Sequence, residues 1–315
     1  MSASAPHGSR HGLLLLNKKS GLTSFDSLKV VKKAFATGKA GHTGTLDKFA
    51  TGLLLVLVGR GVKLAPLFSG CDKEYTATVK FGEETDTLDP EGEVIAQAPL
   101  PSRRDVEAVL DSFRGAIVQA PPAYSALHIN GRRAHELVRE GKEPEMKKRP
   151  VTVHSLEISS WTPPEMVIQV RCSAGTYIRS LARDIALAAG SRARLSALNR
   201  TSVGAFLLAD GVDGEDENLG NALRPLDRRL FKALSLPCFF IDGKAAEAFS
   251  HGKALQRFLA ADFSNFADTG NETQAAGVFR KSAGGETDEL LGTLECKNGV
   301  WSYGHVFAGN REASA

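Results

Sequence analysis

The sequence predicts an α+β protein: a substantial sheet carrying helices, followed by a small β-rich module. Three observations carry that prediction. Leu53 to Val58 is a continuous apolar run suited to a buried strand, and Glu74 to Phe81 alternates cleanly, with Tyr75, Ala77, Val79 and Phe81 on one face. Segments of helical period flank these runs, from Phe25 to Phe35 and from Ser102 to Phe113. Residues 237–310 instead alternate short apolar runs with glycine-containing turns, without internal repeats.

Residues 1–11 are small, polar and aperiodic and read as a disordered tail. Leu13 to Asn17 forms a strand, and Thr23-Ser-Phe-Asp26 resembles a capping box opening a helix with apolar positions at Phe25, Leu28, Val31 and Phe35, ending by Gly38. Ser102 caps a second helix through Val106, Val109, Leu110 and Phe113. Residues 119–148, rich in proline, glycine and basic side chains, read as a protruding, partly helical insertion. Val151 to Ile158 and Met166 to Cys172 pair around the Thr162-Pro-Pro-Glu turn. A helix from Thr176 to Ala189 buries Ile178, Leu181 and Ile185 and stops at Gly190. Val203 to Leu208 adds a strand, Asp210 to Asn218 is an exposed acidic loop before a short connecting helix, and a boundary near Leu236 separates residues 12–235 from 236–315.

A chain of 315 residues with 42% hydrophobic content can fill a proper core. Its 24% charged and 7% aromatic residues exclude disordered, collagen-like and disulfide-stapled classes. Cys71, Cys172, Cys238 and Cys296 stand far apart, which signals neither a zinc site nor a disulfide framework and fits a reducing cytoplasm. No run approaches the length of a membrane span or a signal-peptide core. Net charge is +3, but residues 236–315 hold 7 Lys and Arg against 10 Asp and Glu, leaving 32 against 26 in residues 1–235. The basic surface therefore belongs to the larger part. It crowds at Lys18, Lys19, Lys29, Lys32, Lys33 and Lys39 and again at Lys147, Lys148 and Arg149; either cluster alone reads first as a solvated helix face.

Common catalytic signatures are absent: no P-loop, no Gly-x-Gly-x-x-Gly after a strand, no His-Glu-x-x-His, no Gly-x-Ser-x-Gly. What stands out is Gly41-His42-Thr43-Gly44-Thr45-Leu46-Asp47, a glycine-punctuated loop presenting a histidine and a carboxylate between a helix and a buried strand. Its glycines would let backbone approach a ligand. By spacing alone, Asp47 reads first as an Asx turn or a helix cap, and only second as a catalytic residue.

Together with its flanks, this loop resembles the catalytic loop of the TruB family of tRNA pseudouridine synthases. Further matching segments follow in order: Leu16-Asn17-Lys18 with Gly21-Leu-Thr-Ser24, Lys73-Glu-Tyr75, Thr85-Asp-Thr-Leu-Asp89 with Gly92, Pro121-Pro-Ala-Tyr-Ser-Ala-Leu127, Cys172-Ser-Ala-Gly-Thr-Tyr-Ile-Arg179, and Leu198-Asn-Arg-Thr-Ser-Val-Gly204. The resemblance spans about Leu13 to Phe206. It implies a pseudouridine-synthase fold, a mixed and largely antiparallel sheet flanked by helices, with an RNA-gripping insertion. Residues 236–315 resemble, more weakly, a PUA-like module.

The resemblance implies that Asp47 is the catalytic aspartate, Tyr75 the aromatic that stacks on the target base, Arg179 the partner of the aspartate, and His42 a shaper of the RNA loop. Lys18, Lys73, Tyr177, Leu198, Lys147, Lys148 and Arg149 are implied on the RNA side. The substrate implied is the TΨC arm of tRNA at position 55, with no cofactor or metal, and a cytoplasmic monomer is expected. Read as residues only, Tyr75 could be core, Arg179 a surface charge beside Asp184, and His42 a polar loop residue. A non-catalytic tRNA-binding protein or RNA chaperone on the same scaffold is the alternative function; a nucleotide-dependent enzyme lacks its phosphate loop. Three departures stand out: Lys19 and Lys48 where the motifs usually carry proline, and Asn199 for a usual arginine. Losing the prolines predicts looser loops around Asp47.

Overall fold

A computed structural model of the chain describes residues 11–125, 127–129, 131–142, 146–216, 219–241, 243–253, 274–281, 288–298 and 300–307. The tail expected at residues 1–11 lies, apart from its last residue, outside them. In chain order the first elements are β1 (Gly12–Lys18), α1 (Ser24–Ala34), β2 (Ala40–His42), β3 (Thr51–Val58), β4 (Lys73–Phe81), β5 (Glu83–Thr85), β6 (Val94–Gln97) and α2 (Arg103–Leu110). Next comes β7 (Gly115–Gln119), and the insertion holds the hairpin β8 (His128–Ile129) and β9 (Arg132–Arg133), and α3 (Ala134–Arg139). Then come β10 (Arg149–Thr162), β11 (Glu165–Cys172), α4 (Ile178–Ala188), β12 (Ala193–Val203), β13 (Phe206–Leu207), β14 (Val212–Asp213) and α5 (Arg228–Ala233). The last part contains β15 (Cys238–Ile241), α6 (Gly243–Ser250), β16 (Gln274–Arg280), β17 (Glu289–Lys297) and β18 (Val300–Val306).

The main sheet runs β14-β1-β3-β12-β4-β11-β10-β7, with β2 on β3 and β13 on β12. Only β1 with β14 and β3 with β12 are parallel; every other pair is antiparallel. β1 and β3 are buried on both faces, which is why they read as unbroken leucine runs. Leu13, Leu15, Leu53, Leu55 and Leu57 point into one cluster with Phe68 and Phe206, while Leu14, Leu16, Leu54 and Val56 meet Leu28 and Val31 of α1 and its C-cap Phe35 on the other side. On β4 and β11 one face is covered: Ala77, Val79 and Ile168 pack under Ile178, Leu181 and Ile185 of α4 and Val106 and Leu110 of α2. The residues between them, Glu74, Thr76, Gln169 and Arg171, line open polar depressions of about 390 and 310 Å³.

The strands β15-β16-β17-β18 form a separate sheet, with its own cluster of Phe239, Phe249, Val278 and Leu294. The clusters nevertheless meet across the predicted boundary. Phe279 and Phe307 lie with Phe231 of α5 in the same core as Leu13 and Leu53, and the Phe231 and Phe279 rings meet edge to face at 5.4 Å.

Several local expectations are corrected. Phe25 is 63% exposed, because the inward positions of the first turn of α1 belong to Ser24 and Ser27, and the capping box of Thr23 and Asp26 rotates Phe25 outward. The strand expected over Val203 to Leu208 is split between the last residue of β12 and β13, which folds back on it; the eleven-residue β12 itself went unread, because register shifts between Leu195 and Ala197 and between Arg200 and Ser202 break its alternation. The acidic loop from Asp210 contains an edge strand, with Val212 beside Leu16 and Asn17 donating to Asp213 at 2.9 Å. The helix expected from Thr176 starts at Ile178, with Tyr177 as its N-cap.

Candidate active site

Asp47 lies in the loop joining β2 to β3, and that loop is clamped on three sides. The Ser24 side chain both accepts from the Leu46 N–H at 2.8 Å and donates to its carbonyl at 3.1 Å, so the small face of α1 holds the residue before Asp47. Gly21 N–H donates to the Lys48 carbonyl at 2.9 Å, and Ser20 to that of Phe49 at 2.8 Å. From the sheet, Arg200 reaches the carbonyls of Leu53 at 2.7 Å and Gly44 at 3.1 Å.

Lys18 completes the clamp, and here a sequence expectation is overturned. Its side chain is 1% exposed, and Nζ donates to the carbonyls of Ala50 at 2.6 Å, Leu22 at 2.7 Å, Lys19 at 3.0 Å and Lys48 at 3.3 Å. Surrounded by backbone oxygens, Lys18 is a positioning residue for the Asp47 loop and has no surface to offer a phosphate. Burial lowers its pKa to about 8, against the pull of the Asp47 charge. At the two positions where lysine stands in place of proline, the Lys48 carbonyl accepts two hydrogen bonds, and Lys48 and Lys19 pair with Glu91 at 3.0 Å and Glu215 at 2.6 Å.

Arg179 projects from the first turn of α4 and is 4% exposed, far from the surface charge its neighbours suggested; Arg183 is the residue that pairs with Asp184, at 2.8 Å. Arg179 Nη2 donates to Asp47 Oδ1 at 3.0 Å, and Nε stands 2.9 Å from Oδ2, an ionic contact whose N–H is angled off the oxygen. The remaining donors bind the carbonyls of Thr87 at 2.7 Å and Tyr124 at 3.0 Å, and Asp89 at 3.3 Å. One guanidinium thus fixes the Asp47 loop, the 85–89 turn and the 120–125 loop together.

Asp89 is a participant that spacing did not reveal. It is buried, accepting from the Thr87 hydroxyl at 2.6 Å and the Glu91 N–H at 3.0 Å, so the turn is built around its carboxylate. Gly92 is obligatory in that turn: a Cβ there would stand 2.2 Å from the Asp86 carboxylate. Asp47 itself keeps a third of its side chain open. Burial raises its pKa above the ordinary carboxylate range, Arg179 pulls it back down, and Asp89 pushes it up again.

Tyr75 packs partly buried against the core that contains Leu46. Arg200, its cross-strand neighbour on β12, is 2% exposed, and burial pushes the phenol pKa up against the pull of the Arg200 charge. Arg200 therefore stands beside the tyrosine in the sheet while its side chain holds the Asp47 loop. Its place opposite Tyr75 was hidden by the same register shift that masked β12. Neither Gly41 nor Gly44 has a positive φ, whereas Gly52 does (φ +102°), and a Cβ there would meet the Arg200 carbonyl at 2.4 Å.

The residues assigned to the RNA side divide. His42 is half-buried; its Nδ1 has no hydrogen-bond partner among the described residues, and burial, with Arg200 nearby, lowers its pKa. Lys73 is partly buried with Nζ on the Cys71 carbonyl, and burial lowers its pKa. Lys147 and Lys148 are exposed. Arg149 is instead engaged inside the protein, donating to the Gly175 carbonyl with its guanidinium 4.9 Å from the centre of the Tyr177 ring. The backbone of Tyr177 is paired in both directions with the Gln119 amide, at 2.8 and 3.0 Å. Leu198 is 6% exposed and belongs to the core under α4, opposite Ala77, so its side chain packs rather than presents to RNA.

A family profile described as TruB family pseudouridylate synthase (N terminal domain) matches residues 32–178. The tRNA pseudouridine synthase B of Borreliella burgdorferi is 47% identical over 205 residues, covering 64% of this chain and 73% of that protein. That of Francisella philomiragia is 44% identical over 235 residues, covering 74% and 76%. Among solved structures, a chain of a Cbf5-Nop10-Gar1 complex shares the fold with a TM-score of 0.63 at 23% identity, over 91% of this chain and 78% of that one. Fold and relatives together define a pseudouridine synthase, an isomerase that moves uracil from an N- to a C-glycosidic bond. The chain belongs to the TruB family of pseudouridylate synthases.

Proposed function

We propose that this protein converts uridine to pseudouridine in the TΨC loop of tRNA, at position 55, with Asp47 as the catalytic carboxylate. The observation that carries the reading is the Asp47–Arg179 pair: a half-open carboxylate oriented by a guanidinium with almost no exposure. The isomerisation breaks the bond from C1′ to N1, turns the uracil, forms a bond from C1′ to C5, and transfers the C5 proton away as N1 regains one. Nothing is oxidised or reduced. A carboxylate facing C1′ stabilises or traps the electron-poor sugar while the base turns, and Arg179 keeps its oxygens aimed through the reaction.

The target base is flipped out of its stack, at a cost of roughly a few kcal/mol. Stacking on Tyr75, worth about 1–3 kcal/mol, offsets part of that. Packing of Tyr75 against the core that contains Leu46 positions the ring for this purpose. His42, with a buried ring nitrogen unpaired among the described residues, supplies a polar group to the RNA loop. Lys73, Lys147 and Lys148 are the phosphate contacts, and the tRNA is read mostly by shape. The acidic C-terminal module acts as a stabilising appendage, a role supported by Phe279 and Phe307 in the shared core.

The test is a chemical map of pseudouridines in unmodified tRNA transcript incubated with the pure protein. One new pseudouridine in the TΨC loop is expected, with or without ATP. Tight tRNA binding without product would favour the non-catalytic alternative.

A further inference from the structure

Lys48 and Glu91 face each other from the two segments that Arg179 ties together. Lys48 Nζ stands 3.0 Å from Glu91 Oε1, and the two side chains are 52% and 41% exposed. Their backbones are held by the site itself. The Lys48 carbonyl accepts from Gly21 N–H at 2.9 Å and Lys18 Nζ at 3.3 Å, and Glu91 N–H donates to Asp89 at 3.0 Å. Only the charged ends are left to exchange partners, and a pair this exposed adds little to stability.

Lys48 directly follows Asp47. A nucleotide whose C1′ reaches the Asp47 carboxylate carries its own phosphates a few bonds away, within range of a lysine anchored one residue along. We propose that Lys48 binds a backbone phosphate of the everted nucleotide, with Glu91 as the resting counter-ion that the phosphate displaces. This rests on the reading of Asp47 as the residue that meets the target sugar. It makes the two charges opposite in effect: Lys48 attracts RNA at the mouth of the site, and Glu91 holds that lysine in place while repelling phosphate that does not engage it. A merely structural ion pair would behave differently, because deleting either half would harm the loop in the same direction.

The experiment measures binding of unmodified tRNA transcript across a series of KCl concentrations, with product formation by the parent recorded alongside. Lys48→Ala is expected to weaken binding about 5- to 10-fold at low salt and to flatten the plot of log K against log salt by about 0.7, one phosphate on a single-stranded segment. Lys48→Arg should restore both, and Glu91→Gln should tighten binding about 2- to 5-fold. Parental affinity and slope in Lys48→Ala would overturn the proposal, as would weakened binding in Glu91→Gln. Should the parent bind tRNA yet make no pseudouridine, the catalytic reading fails while the salt slopes still decide the role of Lys48.

Discussion

The inner wall of the site and its basic rim use the same residue types for opposite purposes. Inside, Lys18, Arg179 and Arg200 are almost fully buried, and their donors are spent mainly on backbone carbonyls and on Asp47 and Asp89. Outside, Lys147 and Lys148 are exposed, and Lys48 has a half-exposed acidic partner. A buried cation fixes geometry and is hard to replace, whereas an exposed one sets affinity and answers to salt. Mutations on the two sides should therefore separate turnover from binding.

After loss of the Asp47 carboxylate itself, the largest effect belongs to Arg179. Arg179→Met leaves Asp47 and Asp89 facing each other without their shared cation, and a single-turnover assay should show a loss on the order of 10²- to 10³-fold. Denaturant unfolding should show a stability loss of roughly 3–5 kcal/mol. Arg179→Met turning over at the parental rate would erase the distinction between wall and rim.

Next comes Lys18→Met, which removes a charged donor from four carbonyls. Unfolding should report about 1.5–3 kcal/mol of lost stability, and turnover should drop while the salt dependence of tRNA binding keeps its parental slope. A changed slope would return Lys18 to the phosphate contacts.

The pH profile sharpens the same contrast. Asp47 has a raised pKa, so the acid limb of turnover should lie above the range of an ordinary aspartate, with activity falling as pH drops and the carboxylate is protonated. Lys18 titrates near 8 and should bring an alkaline limb as the clamp loses its charge. Because its folded pKa lies below the unfolded value of 10.5, raising the pH from 8 toward 10.5 removes no stability at this group. Activity should therefore fall in that window without a matching fall in melting temperature.

The smallest effect is at the rim. Lys147→Ala with Lys148→Ala should weaken tRNA binding and lower the salt slope by about 1.4, if each contacts one phosphate on a single-stranded segment. Turnover at saturating tRNA is the control that separates this pair from the wall.

How much of this was legible depends on where the signal is stored. The leucine runs of β1 and β3 and the clean alternation of β4 are one-dimensional records of burial, so the sheet could be read from them. The pairing of Thr23 with Asp26 announced α1, yet the outward turn of Phe25 followed from Ser24 gripping Leu46, a contact 22 residues away. Asp47, Tyr75 and Arg179 stood out through motifs that resemble a family. Asp89 and Arg200 lay inside two of those motifs without a role assigned to them, because what makes them matter is a buried partner on a distant segment. Lys18 was misread for the same reason: a lysine near a basic cluster looks like surface until the four carbonyls around it are seen.

The central claim is that the Asp47 carboxylate does the chemistry while binding is set elsewhere. Its most direct test is Asp47→Asn, assayed for pseudouridine in unmodified tRNA and for tRNA affinity in the same preparation. The account predicts no detectable product, with affinity within about tenfold of the parent, or roughly 1.4 kcal/mol. Equal amounts of pseudouridine from variant and parent would contradict it.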